Sequence, residues 1–447
     1  MIRGALPSIG RAAPRPRALA LAVSAAFASS VYANPTGPSV TAGGATFSVS
    51  GNTLTITNAP GTVINWQQFS IQKDEVTRFL QQHGGSAVLN RVVGGDPSVI
   101  LGLLQSKLPD GSIGGRVFLI NPSGITFGKG AIIDVGGFVA STLKLSDSDF
   151  LSGRMMFSGS GAEGAIRVEP ASAQEKAGTI RTPEGGHVYL IAPQVENSGV
   201  ITTPKGEVVI AAGKTVELVN ARTPDIRVEY TADGKVTNAG EIVAASGHVG
   251  IYGTLIKNSG VVSASRAEVG DGGRIVFKAL KDVTLDATSK IEASGAKGGS
   301  ITIQAETGTL LAQGKIEARG EEGKGGEIQL LAKQVAVHNA DVDASGKTGG
   351  GTILIGGDFQ GRNAAIQNAQ RTVVTPLATI RADATGNGDG GKVIVWADGD
   401  TRFGGTITAR GGPDGGDGGF VEVSGKEQLG FAGMVDTTAP KGSTGQL

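Results

Sequence analysis

Residues 290–303 read Lys-Ile-Glu-Ala-Ser-Gly-Ala-Lys-Gly-Gly-Ser-Ile-Thr-Ile and contain two short segments separated by a glycine-rich turn. In each segment apolar and polar residues alternate, which is the pattern of a β-strand with one buried face. The same pair of segments recurs along the chain. The first segments are residues 260–264, 290–293, 315–318, 341–344, 379–382 and 406–409. The second segments are residues 274–277, 300–303, 327–330, 352–355, 392–395 and 420–423.

The alanines that end the first segments lie 29, 25, 26, 38 and 27 residues apart. The longest interval contains residues 361–375, which we interpret as an insertion that loops out of one repeat. Upstream, Asn197, Asn238 and Asn258 each stand two residues before a glycine that precedes a new strand. Asparagine tolerates a left-handed backbone, and its amide can hydrogen-bond to the next copy. We therefore expect these asparagines to form a ladder at equivalent corners.

A repeat with two short strands and a glycine corner cannot bury its apolar face alone. Stacked copies can, because each strand hydrogen-bonds to the equivalent strand of the next coil about 4.8 Å away. The inward positions alternate Ile or Val with Ala, which predicts a narrow core and explains why Phe, Tyr and Trp number only 14, 4 and 2. A β-propeller would need four-stranded blades with an aromatic motif. The repeats therefore predict an all-β fold, a parallel β-helix over roughly residues 40–430.

The charge and cysteine content exclude several functions. The chain has 40 basic and 40 acidic residues and no long basic run, so the sequence predicts no nucleic-acid partner. It has no cysteine, which excludes disulfides and thiolate metal sites. The absence of cysteine also suits a chain that crosses a second membrane unfolded.

The first 33 residues have the pattern of a secretory signal peptide. Arginines precede an apolar stretch, residues 18–28, and Val31-Tyr32-Ala33 is a small-x-small cleavage site. We therefore predict cleavage between Ala33 and Asn34. The apolar stretch is too short for a membrane-spanning helix.

Residues 34–150 are less repetitive, and we interpret them as a cap and a specialised first section of the solenoid. A cap is needed because an open coil end exposes unpaired strand edges. Asp96-Pro97-Ser98 can begin a helix with Asp96 as N-cap, in which Val99, Ile100, Leu103 and Leu104 share one face. A strand is an equally good interpretation of such a short run.

Residues 116–127, Arg-Val-Phe-Leu-Ile-Asn-Pro-Ser-Gly-Ile-Thr-Phe, contain two apolar segments joined by a turn. Asn121, Pro122 and Gly124 occupy the positions that a type I β-turn prefers for these residue types. The Asn121 side chain can bond to the backbone two residues on, and Pro122 fixes its own φ. The residues alone therefore predict a rigid strand–turn–strand.

This stretch resembles the NPNGI motif of filamentous haemagglutinin-type secretion domains, with Ser123 in place of the second asparagine. Other similar stretches are residues 66–71, 88–92, 95–98 and 135–142, so the resemblance covers roughly residues 40–145. Residues 342–358, 393–398 and 419–425 resemble repeats of large members of the same family. A second family motif, NPNL, is not recognisable, which suggests a branch of the family.

The resemblance implies a right-handed parallel β-helix and a secreted or surface-exposed exoprotein or adhesin that passes through the periplasm. It also implies the general secretory machinery at the inner membrane and a dedicated outer-membrane transporter with POTRA domains. Host-cell or surface glycans are possible receptors. On this basis we assign residues 1–33 to a signal peptide, 34–290 to the secretion domain and 291–447 to the β-helical start of the passenger. The transporter-recognition residues predicted from the motif are Asn121, Pro122, Ser123, Gly124 and Ile125.

No catalytic, metal or cofactor site is expected. The four histidines, His83, His187, His248 and His338, form no ligand-spaced pair, and we expect His187 and His248 to be outward polar positions. Gly-Asp clusters near residues 387–391 and 414–419 lack the calcium nonapeptide pattern and indicate turns. The alternative function, a secreted β-helical polysaccharide lyase or hydrolase, would need several carboxylates with Lys or Arg on one strand face. Glu292, Glu317 and Asp343 look scattered in the sequence, which disfavours that alternative.

Overall fold

The computed structural model describes residues 34–219, 226–265 and 271–447. The predicted signal peptide, including Ala33, lies outside these residues. None of the described helices is long and apolar enough to cross a membrane.

The described residues are almost entirely β-strands. The strands of the first part are β1 (Ser39–Ala42), β2 (Ala45–Ser50), β3 (Thr53–Asn58), β4 (Thr62–Trp66), β5 (Val76–Leu80), β6 (Ala87–Val92), β7 (Ser98–Ile100), β8 (Leu103–Lys107), β9 (Arg116–Ile120), β10 (Ile125–Phe127), β11 (Ile132–Asp134) and β12 (Gly137–Ser141). They are followed by β13 (Lys144–Leu145), the helix α1 (Asp147–Ser152), β14 (Met155–Ser158), β15 (Ile166–Val168), β16 (Thr179–Arg181), β17 (His187–Ala192), β18 (Gln194–Asn197), β19 (Val200–Thr202), β20 (Glu207–Ala212), β21 (Thr215–Leu218) and β22 (Ile226–Glu229).

The strands of the second half include four long ones. They are β23 (Lys235–Asn238), β24 (Glu241–Val243), β25 (His248–Asn258), β26 (Val261–Ser263), β27 (Arg274–Leu285), β28 (Lys290–Glu292), β29 (Ser300–Ala312), β30 (Lys315–Glu317), β31 (Glu327–Val337), β32 (Asp341–Asp343), β33 (Thr352–Ile355), the 3-10 turn Phe359–Gly361, β34 (Arg371–Val374), β35 (Thr379–Arg381), β36 (Lys392–Ala397), β37 (Asp400–Phe403), β38 (Thr406–Thr408), β39 (Phe420–Gly425), β40 (Gln428–Phe431) and β41 (Met434–Asp436).

Among the described residues the strands form three sheets. A fifteen-stranded sheet contains β2, β3, β5, β8, β11, β16, β19, β24, β26, β28, β30, β32, β35, β38 and β41. A four-stranded side sheet contains β13, β14, β21 and β22, and all other strands form a twenty-two-stranded sheet. Successive copies pair in parallel and in register: Ile291 of β28 lies opposite Ile316 of β30, which lies opposite Val342 of β32. The predicted parallel β-helix is confirmed.

The short strands of the later coils fill the core with the aliphatic side chains that the repeats predict. Each short strand contributes one Ile or Val, followed by an alanine, and both side chains are fully buried, as for Ile291 and Ala293. The prediction that large rings do not fit is wrong. Trp66, Phe69 and Phe79 are fully buried in the first coils, and Phe277 of β27 and Phe403 of β37 are buried in the core of the later coils.

The N-terminal end of the solenoid is closed by antiparallel strands. β1 pairs antiparallel with β4, and β2 pairs antiparallel with β3, whereas the following coils are parallel. The ring of Phe47 packs edge-on against Trp66 with centroids 5.7 Å apart. These strands are the cap that the sequence predicts.

The helix considered for residues after Asp96 does not form. Ser98–Ile100 is strand β7, in which Ile100 is buried and Val99 is 37% exposed, so the two side chains point to opposite faces. β7 pairs in parallel with β10, and the Asn121 side chain holds Asp96 and Ser98 from the next coil. The cross-coil hydrogen bonds therefore select the strand.

The predicted asparagine ladder is present and buried. Asn197 Nδ2 donates to Asn238 Oδ1 at 2.8 Å, and Asn238 Nδ2 donates to Asn258 Oδ1 at 2.6 Å. Asn258 Nδ2 ends the ladder on Ser289 Oγ at 2.6 Å. Each amide satisfies its neighbour, so a polar column can lie inside the coil stack.

Paired glycines form a seam where each coil turns into its long strand. A Cβ on Gly299 would lie 2.1 Å from the carbonyl oxygen of Gly273, and one on Gly326 would lie 2.1 Å from that of Gly299. The same contact recurs at Gly351 and Gly391. Only glycine fits because the coil backbones approach each other directly at this corner.

Three excursions leave the coil within the described residues, two that build the side sheet and one later in the chain. Residues 142–165 and the segment after β20 build the side sheet, which covers outward apolar side chains that include Phe118, Val139 and Tyr189. Residues 356–370, which we call the arch, loop out between β33 and β34. The insertion predicted at residues 361–375 is confirmed only for residues 361–370, because residues 371–374 form β34. The helix α1 belongs to the first excursion, and its N-cap Ser146 accepts a hydrogen bond from Asp149 N.

Asn238→Ala should destabilise the fold by about 2–4 kcal/mol, because it leaves Asn197 and Asn258 with unsatisfied buried amide groups. Equilibrium urea unfolding of the mature chain measures this as a lower midpoint with an unchanged slope. The exposed Asn387→Ala is the control and should leave the midpoint unchanged. Equal midpoints for Asn238→Ala and wild type would contradict a stabilising ladder.

Candidate functional site

Residues 121–124 form the turn that the sequence predicts. Gly124 N donates to Asn121 O at 3.1 Å, which is the closing hydrogen bond of a β-turn, and Ser123 N donates to Asn121 Oδ1 at 3.0 Å. Gly124 has a φ of +119°, which a residue with a Cβ rarely adopts. The turn therefore needs both the asparagine side chain and the glycine backbone.

The Asn121 side chain also ties its turn to the preceding coil. Its Nδ2 donates to Asp96 O at 3.0 Å and to Ser98 Oγ at 2.9 Å, and the side chain has no exposed surface. With the bond from Ser123, Asn121 makes three side-chain hydrogen bonds, two of which connect neighbouring coils. Its position is thus architectural in the folded protein.

The following coil packs directly on the turn. Gly164 N donates to Pro122 O at 2.9 Å, and a Cβ on Gly164 would lie 2.4 Å from Ser123 O. Ile125 is buried and pairs with Ser98 on one side and Ile166 on the other. The turn is therefore enclosed between two neighbouring coils.

Of the five predicted recognition residues, only Pro122 and Ser123 keep part of their surface exposed. Pro122 lines a cleft of about 670 Å³ between the coils and the side sheet, together with Arg91, Val93 and Lys144. At one side of this cleft, the Arg91 guanidinium donates a hydrogen bond to Leu145 O at 2.9 Å and links β6 to the side sheet. The accessible part of the motif is therefore small and lies beside the first excursion.

His187 and His248 lie on one outward column, two coils apart, with Glu207 between them. The sequence separates these histidines widely, and the coil spacing brings them together. Burial, assisted by the charge of Arg116, lowers the pKa of His187 to about 4, and burial with Arg274 does the same for His248. Burial raises the pKa of Glu207, whose Oε2 accepts from Tyr189 at 2.6 Å.

The carboxylates that look scattered in the sequence are stacked. Glu292, Glu317 and Asp343 occupy the same outward column on β28, β30 and β32, so the expectation of scattered acids is wrong. The repeat places equivalent residues on top of each other even when their spacing varies. Glu292 pairs with Lys290 at 2.7 Å, and Asp343 pairs with Arg381 at 3.3 Å.

The Gly-Asp clusters are corners that bond to the next coil. Asp389 Oδ1 accepts from Asp417 N at 2.8 Å, and Asp417 Oδ1 accepts from Ser443 N at 2.7 Å. Within residues 34–219, 226–265 and 271–447, no group of three or more His, Asp or Glu side chains is arranged to hold a metal ion.

The described residues thus form a capped parallel β-helix with a side sheet, in which the Asn-Pro-Ser-Gly turn is enclosed between two coils. The chain belongs to the TPS (two-partner secretion) domain family, which matches residues 31–280. The predicted resemblance to two-partner secretion exoproteins is confirmed. The boundary that we place after residue 290 stays a prediction, since the coils continue without a break through β28.

Solved and curated relatives agree with this assignment. The structure is similar to the crystal structure of the HMW1 secretion domain from Haemophilus influenzae, with a TM-score of 0.71 and 31% identity, covering 92% of this chain and 100% of that chain. Over 132 residues the chain is 35% identical to the heme/hemopexin-binding protein of Haemophilus influenzae strain Rd. That alignment covers 28% of this chain and 14% of the relative, so the chain spans only a small part of the relative's length.

The free energy of unfolding should depend on pH through the half-buried His187 and His248. Because the pKa of His187 and of His248 is about 4 in the folded protein and near 6.5 when unfolded, the unfolded chain binds more protons below pH 6.5. The free energy of unfolding should fall by about 1–2 kcal/mol for each histidine between pH 7 and pH 5. Urea unfolding of wild type and of the double variant His187→Gln/His248→Gln measures the difference. If wild type and the double variant lost the same free energy of unfolding between pH 7 and pH 5, the low pKa of the two histidines would be contradicted.

Proposed function

We propose that residues 34–290 direct export of the chain through a cognate outer-membrane transporter with periplasmic POTRA domains. Inner-membrane export through the general secretory machinery precedes this step, and the product is secreted or held at the cell surface. The observation that supports the proposal most strongly is the family match combined with the turn at residues 121–125. The alternative, a polysaccharide lyase or hydrolase, has no support from the relatives.

Within this function, the turn acts by nucleating coils rather than by offering the Asn121 side chain to the transporter. In the folded protein that side chain is buried and joins two coils, which supports a role in forming those coils. The two hydrogen bonds from its Nδ2 fix the register between β7 and β10. A chain that leaves the transporter unfolded needs such a fixed register to begin stacking.

The remainder of the chain, residues 291–447, forms the start of a β-helical passenger that acts as an exoprotein or adhesin and not as an enzyme. The supporting observation is that its outward acids are partly neutralised by neighbouring cations, as in the contacts of Arg381 with Asp341 at 2.6 Å and with Asp343. Paired charges of this kind suit a stable surface. Host-cell or surface glycans are the receptors that such a surface would contact.

Export of variants tests the proposal. The chain is co-expressed with its transporter, and extracellular and periplasmic amounts are compared. Asn121→Ala and the double variant Asn121→Ala/Pro122→Ala should accumulate in the periplasm, because the turn no longer sets the register. Ser123→Asn should be exported normally, since both residues serve this turn position.

Asn238→Ala is the matched control, because Asn238 is an equally buried ladder residue far from the turn. It should lose comparable stability and still be exported. Export of the double variant at the wild-type level would show that the turn has no role in secretion. A defect in Pro122→Ala/Ser123→Ala that exceeds the defect in Asn121→Ala would favour surface recognition over nucleation.

A further inference from the structure

The arch reaches two coils back towards the N-terminus. Gln367 Nε2 donates to the carbonyl oxygens of Ala305 and Glu306 at 3.3 and 3.0 Å, and Gln304 Nε2 donates to Gln367 Oε1 at 2.8 Å. All three partners lie in β29. Gln370 N, at the foot of the arch, donates to Lys333 O of β31 at 2.8 Å.

The same loop reaches two coils forward. Lys392 of β36 pairs with Asp358 at 2.7 Å. Gln360 N donates to Glu422 Oε2 of β39 at 3.1 Å, and the Phe359 ring packs edge-on against Phe420 with centroids 5.5 Å apart. The arch therefore has attachments on β29, β31, β36 and β39, in addition to its own coil.

The surface beneath the arch is apolar only where the arch covers it. Leu354 and Ile394 occupy one outward column and are 4% and 0% exposed, packed with Trp396 and Ile366. In the same column the flanking coils carry Gln329 and Glu422. Burying the two aliphatic side chains beneath the loop adds favourable apolar contact to its polar anchors.

The arch is also held in its own shape. Asn368 Nδ2 donates to Gly361 O at 2.9 Å and to Asp398 Oδ1 at 3.2 Å. Burial opposes ionisation of Asp358, but hydrogen bonds from Lys392 and Asn363 outweigh it and lower the pKa of the carboxyl to about 2. The ion pair with Lys392 is thus present throughout the neutral and mildly acidic range.

From these contacts we propose that the arch is a clasp that makes the five consecutive coils from β29 to β39 open as one cooperative unit. In a simple stack each repeat interacts only with its neighbours, so coils can open one at a time from an end. A loop attached two coils away in each direction couples strands that do not touch. In a chain without cysteine it performs the cross-linking that a disulfide would otherwise provide.

Native-state hydrogen exchange of the purified mature chain, read by mass spectrometry of peptides, tests the clasp. In the wild type, amides of β29 and β39 should exchange at the same opening-limited rate. In the double variant Gln367→Ala/Glu422→Ala, β39 should exchange at least tenfold faster than β29. Circular dichroism before the exchange confirms that the variant is folded.

The control removes an ion pair that joins neighbouring coils only. Arg371 of β34 pairs with Asp400 of β37 at 3.5 Å, so Asp400→Asn breaks an exposed cross-coil contact outside the arch. This variant should keep one shared rate for β29 and β39. The clasp is disproved if the two strands exchange at different rates in the wild type, or if they keep a shared rate in the double variant.

Discussion

Parallel strands stacked in register place each side chain directly beside its equivalents in the coils before and after it. The residues of one column must therefore pack against, hydrogen-bond to or tolerate the charge of residues of the same kind in the next coil. Inside, the requirement is met by Ile or Val alternating with Ala, and by asparagines that each donate to the next. Outside, it stacks like charges such as Glu292 and Glu317, which need lysine or arginine nearby.

Outward residues are apolar where another part of the chain covers the solenoid and polar where the solenoid is open to solvent. Where the side sheet lies, the outward residues are Phe118, Val139 and Tyr189, and where the arch lies they are Leu354 and Ile394. Coils without a cover carry polar residues at the same position. Excursions and the surface beneath them therefore depend on each other, since apolar positions on an open face would be left in water.

The sequence predicts those features that repeat or that a single turn encodes. The coil stack, the asparagine ladder, the insertion in the long interval and the turn at Asn121 all follow from residue patterns of this kind. The side sheet does not, because it depends on pairings between segments that share no pattern. The proximity of His187 to His248 follows from the register of β17, β20 and β25, which the alignment of the later repeats does not include. The strand at Ser98 could not be distinguished from a helix, since its deciding partner, Asn121, lies in the next coil.

The glycine seam limits how such a chain can change in length. An insertion or deletion next to the corner that does not loop out, as the arch does, would move a side chain into the corner, where a Cβ on Gly326 would meet a carbonyl oxygen at 2.1 Å. Adding or removing a complete coil from one glycine pair to the next leaves every corner occupied by glycine. The molecule can therefore lengthen or shorten by whole turns of its helix, and drift in sequence is confined to the outward faces and to the excursions.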